Sequence, residues 1–337
     1  MTKIKLRGLK LLERGAQVVS SNPGDYNFLA AGICSPLALH KINLTFLSHA
    51  VLDQSGRSIT AFCTEGSAGR GSASLVEAHQ GGTSTVDFHG DMSTLSVFPH
   101  DQRPEVTGLL LHALAKREIA LQGIASSPSA VSSIVSTAET EAAIHTLFDA
   151  FEFPAYHSPS DWYAAYEGKE NLLRKIIASY QEKVVRIYDI VRQSELDLWS
   201  VVIGQKALTK LGEVLLALGQ RQLKMPFVIA LLSSENMLVF NFCFPGGHES
   251  QIRETFASHL GETRLARHSQ VAALYIHGPH FGDRYGIANT LVRALERGGV
   301  SLLALGCTVS SISVIIREED LAAAVQTLEA TFQRSSG

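Results

Sequence analysis

The feature that most constrains the fold is a long internal repeat. Displaced by 181 positions, residues 109–136 (LLLHALAKREIALQGIASSPSAVSSIVS) lie over residues 290–317 (TLVRALERGGVSLLALGCTVSSISVIIR) without a gap. Upstream the offset changes by a couple of residues, as duplication followed by insertions and deletions in loops would leave it. The sequence therefore predicts two related halves, about 1–153 and 183–332.

Each half divides again into two smaller units. The apolar patterns follow the order strand, helix, strand, strand, helix, twice in each half. Two right-handed β-α-β crossovers around an antiparallel centre give the ferredoxin-like plait. The predicted fold class is α+β, with four ferredoxin-like βαββαβ plaits in two tandem pairs. The predicted units are residues 1–90, 91–153, 183–269 and 270–337, with a linker helix at 154–182.

Plaits of this size bury their sheet faces best by pairing. Pairing within each half and pairing between the halves are both compatible with the sequence. Four units in one chain already supply the partners, so a homodimer is an additional expectation and not a requirement.

Composition excludes several classes of protein. There are 29 Lys and Arg residues against 32 Asp and Glu, so the basic excess that binds nucleic acid is missing. No run of 18 uncharged apolar residues is present, which argues against a membrane partner, and the charged start is unlike a signal peptide. Four scattered cysteines indicate a reducing compartment. We expect a cytoplasmic protein.

A cluster of glycines at residues 66–71 (GSAGRG) has no following Lys-Ser or Lys-Thr, so it is not a Walker A phosphate-binding loop. Glycine-rich and serine-rich runs are typical of flexible connections. We expect a connection here, although the same residues begin a weak helical pattern.

Three of the four predicted units have a distinctive turn before the first helix: SNPGD at 21–25, DQRPEV at 101–106 and GDRYGI at 282–287. Glycine allows close backbone approach, proline sets the first helical turn, and Asp or Asn can cap free amides. Each turn alone could be a simple helix cap. Their recurrence in register favours a shared binding site.

These turns, in this order of elements, resemble ACT domains, and the closest likeness is to the paired ACT regulatory region of aspartokinases. The last unit, residues 283–332, follows that pattern almost throughout, and residues 27–51 (NFLAAGICSPLALHKINLTFLSHAV) resemble the effector-facing helix and strand of lysine-sensitive members. The resemblance covers nearly the whole chain except the linker. It is weak in the third unit, where GQKA at 204–207 lacks the turn signature.

The resemblance implies a regulatory region without the kinase domain, because the plait pattern begins within the first twenty residues. The sequence therefore predicts a non-catalytic, amino-acid-sensing regulatory protein that is not an enzyme. The alternative is a ligand-free interaction subunit that docks onto a separate aspartokinase or another enzyme of amino-acid biosynthesis. An enzyme that uses the plait as a scaffold is a third hypothesis.

The resemblance also implies where a small amino acid effector would bind, at an interface between ACT units. The ligand carboxylate suits a helix amino terminus, where free N–H groups and the positive end of the dipole meet. Thr45 stands where lysine-sensing relatives have an aspartate that meets the ligand ammonium, which weakens a lysine assignment. The implied ligand-binding residues are Asp25, Asn27, Phe28, Leu29, Asn43, Leu44 and Thr45, with Asp101 and Asp283 as secondary candidates that helix capping alone could explain.

Other chemistries find less support in the sequence. The tightest histidine pair is His277 with His280, close to Asp283, but the equivalent loop of the first half has only His100 and Asp101. No metal and no cofactor are therefore predicted. There is no GxSxG nucleophile motif, and the cysteines at 63 and 243 lie in apolar strands where thiols usually only pack.

Overall fold

The computed structural model describes residues 3–24, 28–80, 84–166, 186–187, 189–278, 284–308 and 311–334. Three residues of the predicted site lie outside these ranges, namely Asp25, Asn27 and Asp283, and so does His280. Most of the predicted linker also lies outside them, and its described part contains a helix at residues 159–166.

The first half alternates strands and helices. Its strands are β1 (Ile4–Lys5), β2 (Gly8–Asn22), β3 (Phe46–Val51), β4 (Ser58–Glu65), β5 (Thr85–Phe98), β6 (Gly123–Ser126), β7 (Val131–Ser136) and β8 (Phe151–Glu152). A π-helical segment, Leu29–Cys34, runs directly into the first α-helix. The α-helices are α1 (Ser35–Leu39), α2 (Gly66–His79), α3 (Pro104–Lys116) and α4 (Thr140–Ala150).

The second half follows the same order of elements. Its strands are β9 (Arg186–Ile187), β10 (Asp189–Gly204), β11 (Phe227–Leu232), β12 (Met237–Pro245), β13 (Leu265–His277), β14 (Leu302–Thr308), β15 (Ser311–Arg317) and β16 (Gln333–Arg334). Its helices are α5 (Leu208–Gln220), α6 (Glu249–Leu260), α7 (Ile287–Arg297) and α8 (Leu321–Thr331).

Twelve of the described strands form one closed antiparallel sheet. Their order is β10-β12-β11-β6-β7-β5-β2-β4-β3-β14-β15-β13, and β13 pairs again with β10. The chain is thus a mixed α and β protein built on a large antiparallel sheet. No helix within the described ranges is both long and apolar enough to cross a membrane.

Two long strand pairs bend at bulges within the closed sheet. In β2 and β5 the pairing register shifts near Gly15, and Arg14 and Asp91 have φ values of 58° and 54°. In β10 and β13 it shifts near Leu196, and Glu195 and Gln270 have φ values of 58° and 57°. Such bulges bend and twist a strand, so each long pair continues from one face of the closed sheet to the other.

Alternate residues of the strands fill different cores. In β11, Phe227, Ile229 and Leu231 point into the core enclosed by the sheet, whereas Val228 and Ala230 pack under the helices. A strand that is buried on both faces has an almost continuous apolar sequence, as FVIALL is here. The helices therefore lie outside the closed sheet, over two further cores.

Two strand pairings join the halves of the chain to each other. One is β3 with β14, where Leu47 lies opposite Cys307 and Ala50 opposite Ala304. The other is β6 with β11, where Ala125 lies opposite Ile229. The sequence leaves open whether the units pair within a half or between the halves. These two strand pairings lie between the halves.

The glycine cluster at 66–71 forms the first turns of α2. The prediction of a flexible connection there is therefore wrong. Gly69 lies against β2 and β5: a Cβ there would be 2.3 Å from the Ala16 Cβ and 2.9 Å from the Phe88 ring. Glycine is required because the helix backbone approaches the sheet closely. The predicted unit boundaries at residues 90 and 269 fall inside β5 and β13.

Candidate functional site

The seam between β3 and β14 has a recess at each end. One, here named the large cleft, has a volume of about 570 Å³ and walls from the β3–β4 hairpin, the end of α7 with the start of β14, and β10 with β13. The other, the small cavity, has a volume of about 20 Å³ and lies between α1 and the start of α7. Only the large cleft falls in the range of about 300–1,000 Å³ that is usual for ligand sites.

The large cleft has a mixed lining, in which apolar side chains are nearly half of the residues. Leucine and valine side chains come from both halves of the chain, and they include Leu29, Val51, Leu198, Leu295, Val300 and Leu303. Hydroxyl groups are contributed by Ser58 and Ser200. The Ser200 hydroxyl also hydrogen bonds to Asn241 Oδ1, at 2.5 Å.

The buried imidazole of the cleft is His49, which is only 4% exposed. Its Nδ1 lies 2.8 Å from Thr60 Oγ1, which fixes the ring. Burial lowers the pKa of His49 to about 4. The ring is therefore neutral near pH 7, and it can offer a hydrogen bond to a ligand but no charge.

Arg267 carries a charge into the cleft wall, but that charge is balanced. Its Nη2 lies 3.0 Å from Oδ2 of the buried Asp197, and its Nη1 donates to Glu249. Its guanidinium also lies over the Trp199 ring, 5.7 Å from the ring centre. The same Glu249 accepts a hydrogen bond from Arg253 Nε at 2.8 Å. Two arginines and two carboxylates therefore form one neutral cluster.

The other charged groups of the cleft are also engaged. Asp53 accepts hydrogen bonds from the Ser55 hydroxyl and from Arg57, and these bonds lower the pKa of Asp53 to about 2. Arg317 lies 3.4 Å from a carboxylate oxygen of Glu319. Glu296 also interacts with other groups. The described lining is therefore close to electrically neutral.

The small cavity has room for about one water molecule. Cys34 and Cys307 face it from the two halves, and burial raises the pKa of each thiol to about 12, so both are protonated. The start of α7 forms another wall, where Gly286 has a φ of 85°. An amino acid could enter only if α1 and α7 moved apart.

The structure separates the residues that the sequence groups into one ligand site. Phe28 and Leu29 are buried, and Leu29 lines the large cleft. Leu44 lines the small cavity, at the opposite end of the seam. Leu29 and Leu44, which the sequence groups in one site, therefore line different recesses.

The neighbours of Leu44 have structural partners. The Thr45 N–H and hydroxyl both donate to the Cys63 carbonyl, at 2.9 Å and 3.3 Å, and so extend the pairing of β3 with β4. Asn43 is half-buried. Among these residues, Leu44 alone contacts a described recess.

Asp101 does not cap a helix. It is exposed, has a φ of 53°, and its N–H donates to the Pro128 carbonyl at 3.0 Å. Helix α3 begins after Arg103, and no side chain caps its first N–H groups. Asp101 lines neither recess.

The seam between β6 and β11 differs, because two helices close it. A Cβ on Gly108 of α3 would lie 2.8 Å from the Gly212 carbonyl oxygen of α5, and a Cβ on Gly212 would lie 2.7 Å from the Gly108 carbonyl oxygen. The two glycines let the helix backbones touch. The corresponding helices over the β3–β14 seam leave the large cleft and the small cavity.

Within the described part of the chain, no three His, Cys, Asp or Glu side chains are placed to hold a metal ion. His277 ends β13, and burial lowers its pKa. The other two members of the histidine cluster considered from the sequence, His280 and Asp283, lie outside the described residues.

Sequence reasoning missed His49, Ser200 and Arg267. The three residues lie on separate strands, β3, β10 and β13, so no local motif links them. His49 carries one available signal, because it is an ionisable residue in a mainly apolar strand, FLSHAV.

Comparison with known proteins identifies one domain and the fold. Residues 267–330, from β13 to α8, match the ACT domain family. The crystal structure of aspartate kinase from Synechocystis matches with a TM-score of 0.80 and 11% identity, over 98% of this chain and 57% of that chain. The regulatory subunit of aspartate kinase from Thermus flavus matches with 23% identity and a TM-score of 0.40, over 44% of this chain and 99% of that one. No curated protein matches.

These comparisons correct three predictions. The resemblance to a regulatory region alone, the non-catalytic function with its docking alternative, and the statement that the chain is not an enzyme are wrong, because the structure that matches over 98% of the chain is an aspartate kinase, an enzyme. All three predictions depend on where the strand pattern begins, and neither that position nor a fold excludes catalysis. At 11% identity the likeness establishes the fold, and the chain spans 57% of the enzyme's length.

Proposed function

We propose that the chain is an amino-acid-responsive protein of the aspartate-kinase type, in which a small amino acid binds in the large cleft and changes the rate of aspartate phosphorylation. The observation that carries this proposal is the cleft beside the β3–β14 seam. The β3–β14 pairing leaves a cleft of about 570 Å³ beside an ACT domain, whereas helices close the β6–β11 seam. ACT domains bind amino acid effectors, and the matched enzyme supplies the reaction.

The proposal includes four ACT plaits in tandem, with units 1–90, 91–153, 183–269 and 270–337 and a linker at 154–182. The recurrence of the order β-α-β-β-α in each half supports it. In this arrangement one long strand, β5 or β13, ends one plait and begins the next. We also propose a cytoplasmic location and a homodimer.

Within the large cleft, we assign the effector to the start of the first helical segment. Leu29 supports this assignment, because it lines the cleft and is the second residue of a helical stretch that begins at residue 28. A carboxylate suits that end of a helix, and Asp25, Asn27 and Phe28 stand beside Leu29 in the sequence. We assign Asn43, Leu44 and Thr45 to the small cavity, which Leu44 and Arg284 line. Asp283 precedes Arg284 in the sequence and stays a secondary candidate.

A ligand in the large cleft would bridge the two halves of the chain. It would contact the first helical segment on one side and the end of α7 on the other. Binding would therefore favour one relative arrangement of the units, and a coupling of about 1–3 kcal/mol is enough to regulate an enzyme.

The experiment is calorimetric titration of the purified chain with each of the twenty amino acids. We expect at least one to bind with a dissociation constant of millimolar or below. Ala266→Trp, which fills the cleft, should weaken that binding at least tenfold, whereas Val202→Trp, at an exposed position outside the lining, should not. Absence of binding by all twenty would refute the proposal.

Catalysis is tested separately with aspartate, ATP and Mg²⁺, in the presence of hydroxylamine, which displaces phosphate from aspartyl phosphate to give the hydroxamate. We expect the rate to change when the amino acid identified by calorimetry is added. A rate that is insensitive to a bound amino acid would reject the regulatory part of the proposal.

A further inference from the structure

The chemistry of the large cleft restricts the side chain of its ligand. Nine of the 22 residues that line the cleft are leucine or valine, and neutral hydrogen-bonding groups come from His49, Gln54, Ser58, Ser200 and Ser301. Burial holds the His49 ring in its neutral form near pH 7. None of these groups compensates the charge of a cationic side chain.

The charged groups of the described wall are already engaged. Asp53 holds Arg57, and Glu296 has interactions of its own. Arg267 is balanced by Asp197 and Glu249. A second ammonium group on the ligand would therefore have to compete with an existing partner or stay unpaired, and an unpaired buried charge is costly.

We infer that the large cleft selects an amino acid whose side chain is uncharged and mainly apolar, such as leucine or norleucine, and that it rejects lysine. This inference rests on the proposed function, since it names the class of effector for the same cleft. The apolar side chain replaces water against the leucine and valine residues of the wall, and His49 and the serines offer it only neutral groups.

The test is titration calorimetry of the full chain with norleucine and with lysine. Norleucine has the same four-carbon side chain as lysine and lacks only the terminal ammonium group. We expect norleucine to bind at least tenfold more tightly than lysine. Equal affinity, or tighter binding of lysine, would overturn the inference and leave the proposed function standing, whereas no binding by any of the twenty amino acids or by norleucine would overturn both.

A charge placed in the cleft should reverse the preference. In Val51→Asp the new carboxylate lies in the cleft wall, so lysine should gain at least tenfold in affinity relative to norleucine. Val51→Asn adds a polar group without a charge, so it should not raise the affinity for lysine relative to norleucine. Val202→Asp puts the same charge at an exposed strand position outside the lining. Its ratio of lysine affinity to norleucine affinity should equal that of the unmodified chain. The same affinity ratio in Val51→Asp and Val202→Asp would contradict the inference.

Discussion

The contact between α3 and α5 makes Gly108→Ala a sharp test of how the β6–β11 seam is closed. The added Cβ would lie 2.8 Å from the Gly212 carbonyl oxygen and 3.0 Å from the Leu215 Cβ. Backbone cannot rotate away as a side chain can, so the helices must separate. Overpacking of this kind costs about 1–3 kcal/mol, while replacing glycine by alanine inside a helix returns up to about 1 kcal/mol.

The matched control is Gly71→Ala, inside α2, where no atom lies within 4 Å of the new Cβ. It gains the helix propensity without the clash, so its free energy of unfolding should rise by about 0.5–1 kcal/mol. The difference between the two variants isolates the overpacking cost, about 1–3 kcal/mol. Gly212→Ala should add less in the Gly108→Ala background than alone, because the helices are already apart.

Urea unfolding followed by circular dichroism measures these free energies, and equal m-values confirm that the same surface is exposed in each variant. If Gly108→Ala and Gly71→Ala differ by less than about 0.5 kcal/mol, the usual scatter of surface substitutions, close helix contact does not close the seam.

Three further predictions concern buried polar groups. His49 and His100 have pKa values lowered to about 4 by burial. Unfolding therefore takes up protons, and the free energy of unfolding should fall as the pH drops from about 6.5 to 4, by up to about 3 kcal/mol per histidine. Urea titrations across this range should lose part of that slope in His49→Gln or His100→Gln, and an unchanged slope would contradict the assignment. Asp197→Asn should cost about 1.5–3 kcal/mol, because Arg267 loses a charged hydrogen-bond partner. Thermal unfolding at pH 7 measures this cost, and no change would mean that the pair is not formed. Trp162→Phe removes a ring N–H that donates to a backbone carbonyl of β2 at 3.0 Å. The free energy of unfolding should fall by about 1 kcal/mol in the same assay, and an unchanged value would mean that this hydrogen bond is not formed.

The order of the elements could be predicted because each predicted helix and strand has its own period of apolar residues. The 6-residue strand β11 and the 13-residue helix α5 are both recognisable without any tertiary information. The lengths of the strands that bend at bulges could not be predicted. The bulges near Gly15 and Leu196 interrupt the period, so one bent strand resembles two short ones.

The glycine cluster shows a second limit. Glycine lowers helix propensity, so the sequence favours a connection at residues 66–71. The reason for Gly69 lies far away in the sequence, in the Ala16 and Phe88 side chains that it contacts. The local sequence pattern cannot reveal a contact between residues so far apart in the chain.

The candidate site shows the third limit. Residues near one turn can be grouped by sequence, but Leu29 and Leu44 line recesses at opposite ends of the β3–β14 seam. That seam joins strands from different halves of the chain, so the neighbours of His49 and Arg267 depend on how the halves assemble. Pairing between the halves is a tertiary property that the repeat alone leaves open.

The most direct measurement is a crystal structure of the full chain grown with norleucine. We expect difference density in the large cleft, with the apolar side chain against Val51 and Leu303 and close to the His49 ring. An empty cleft in crystals soaked well above the calorimetric dissociation constant, or density at another surface, would contradict it.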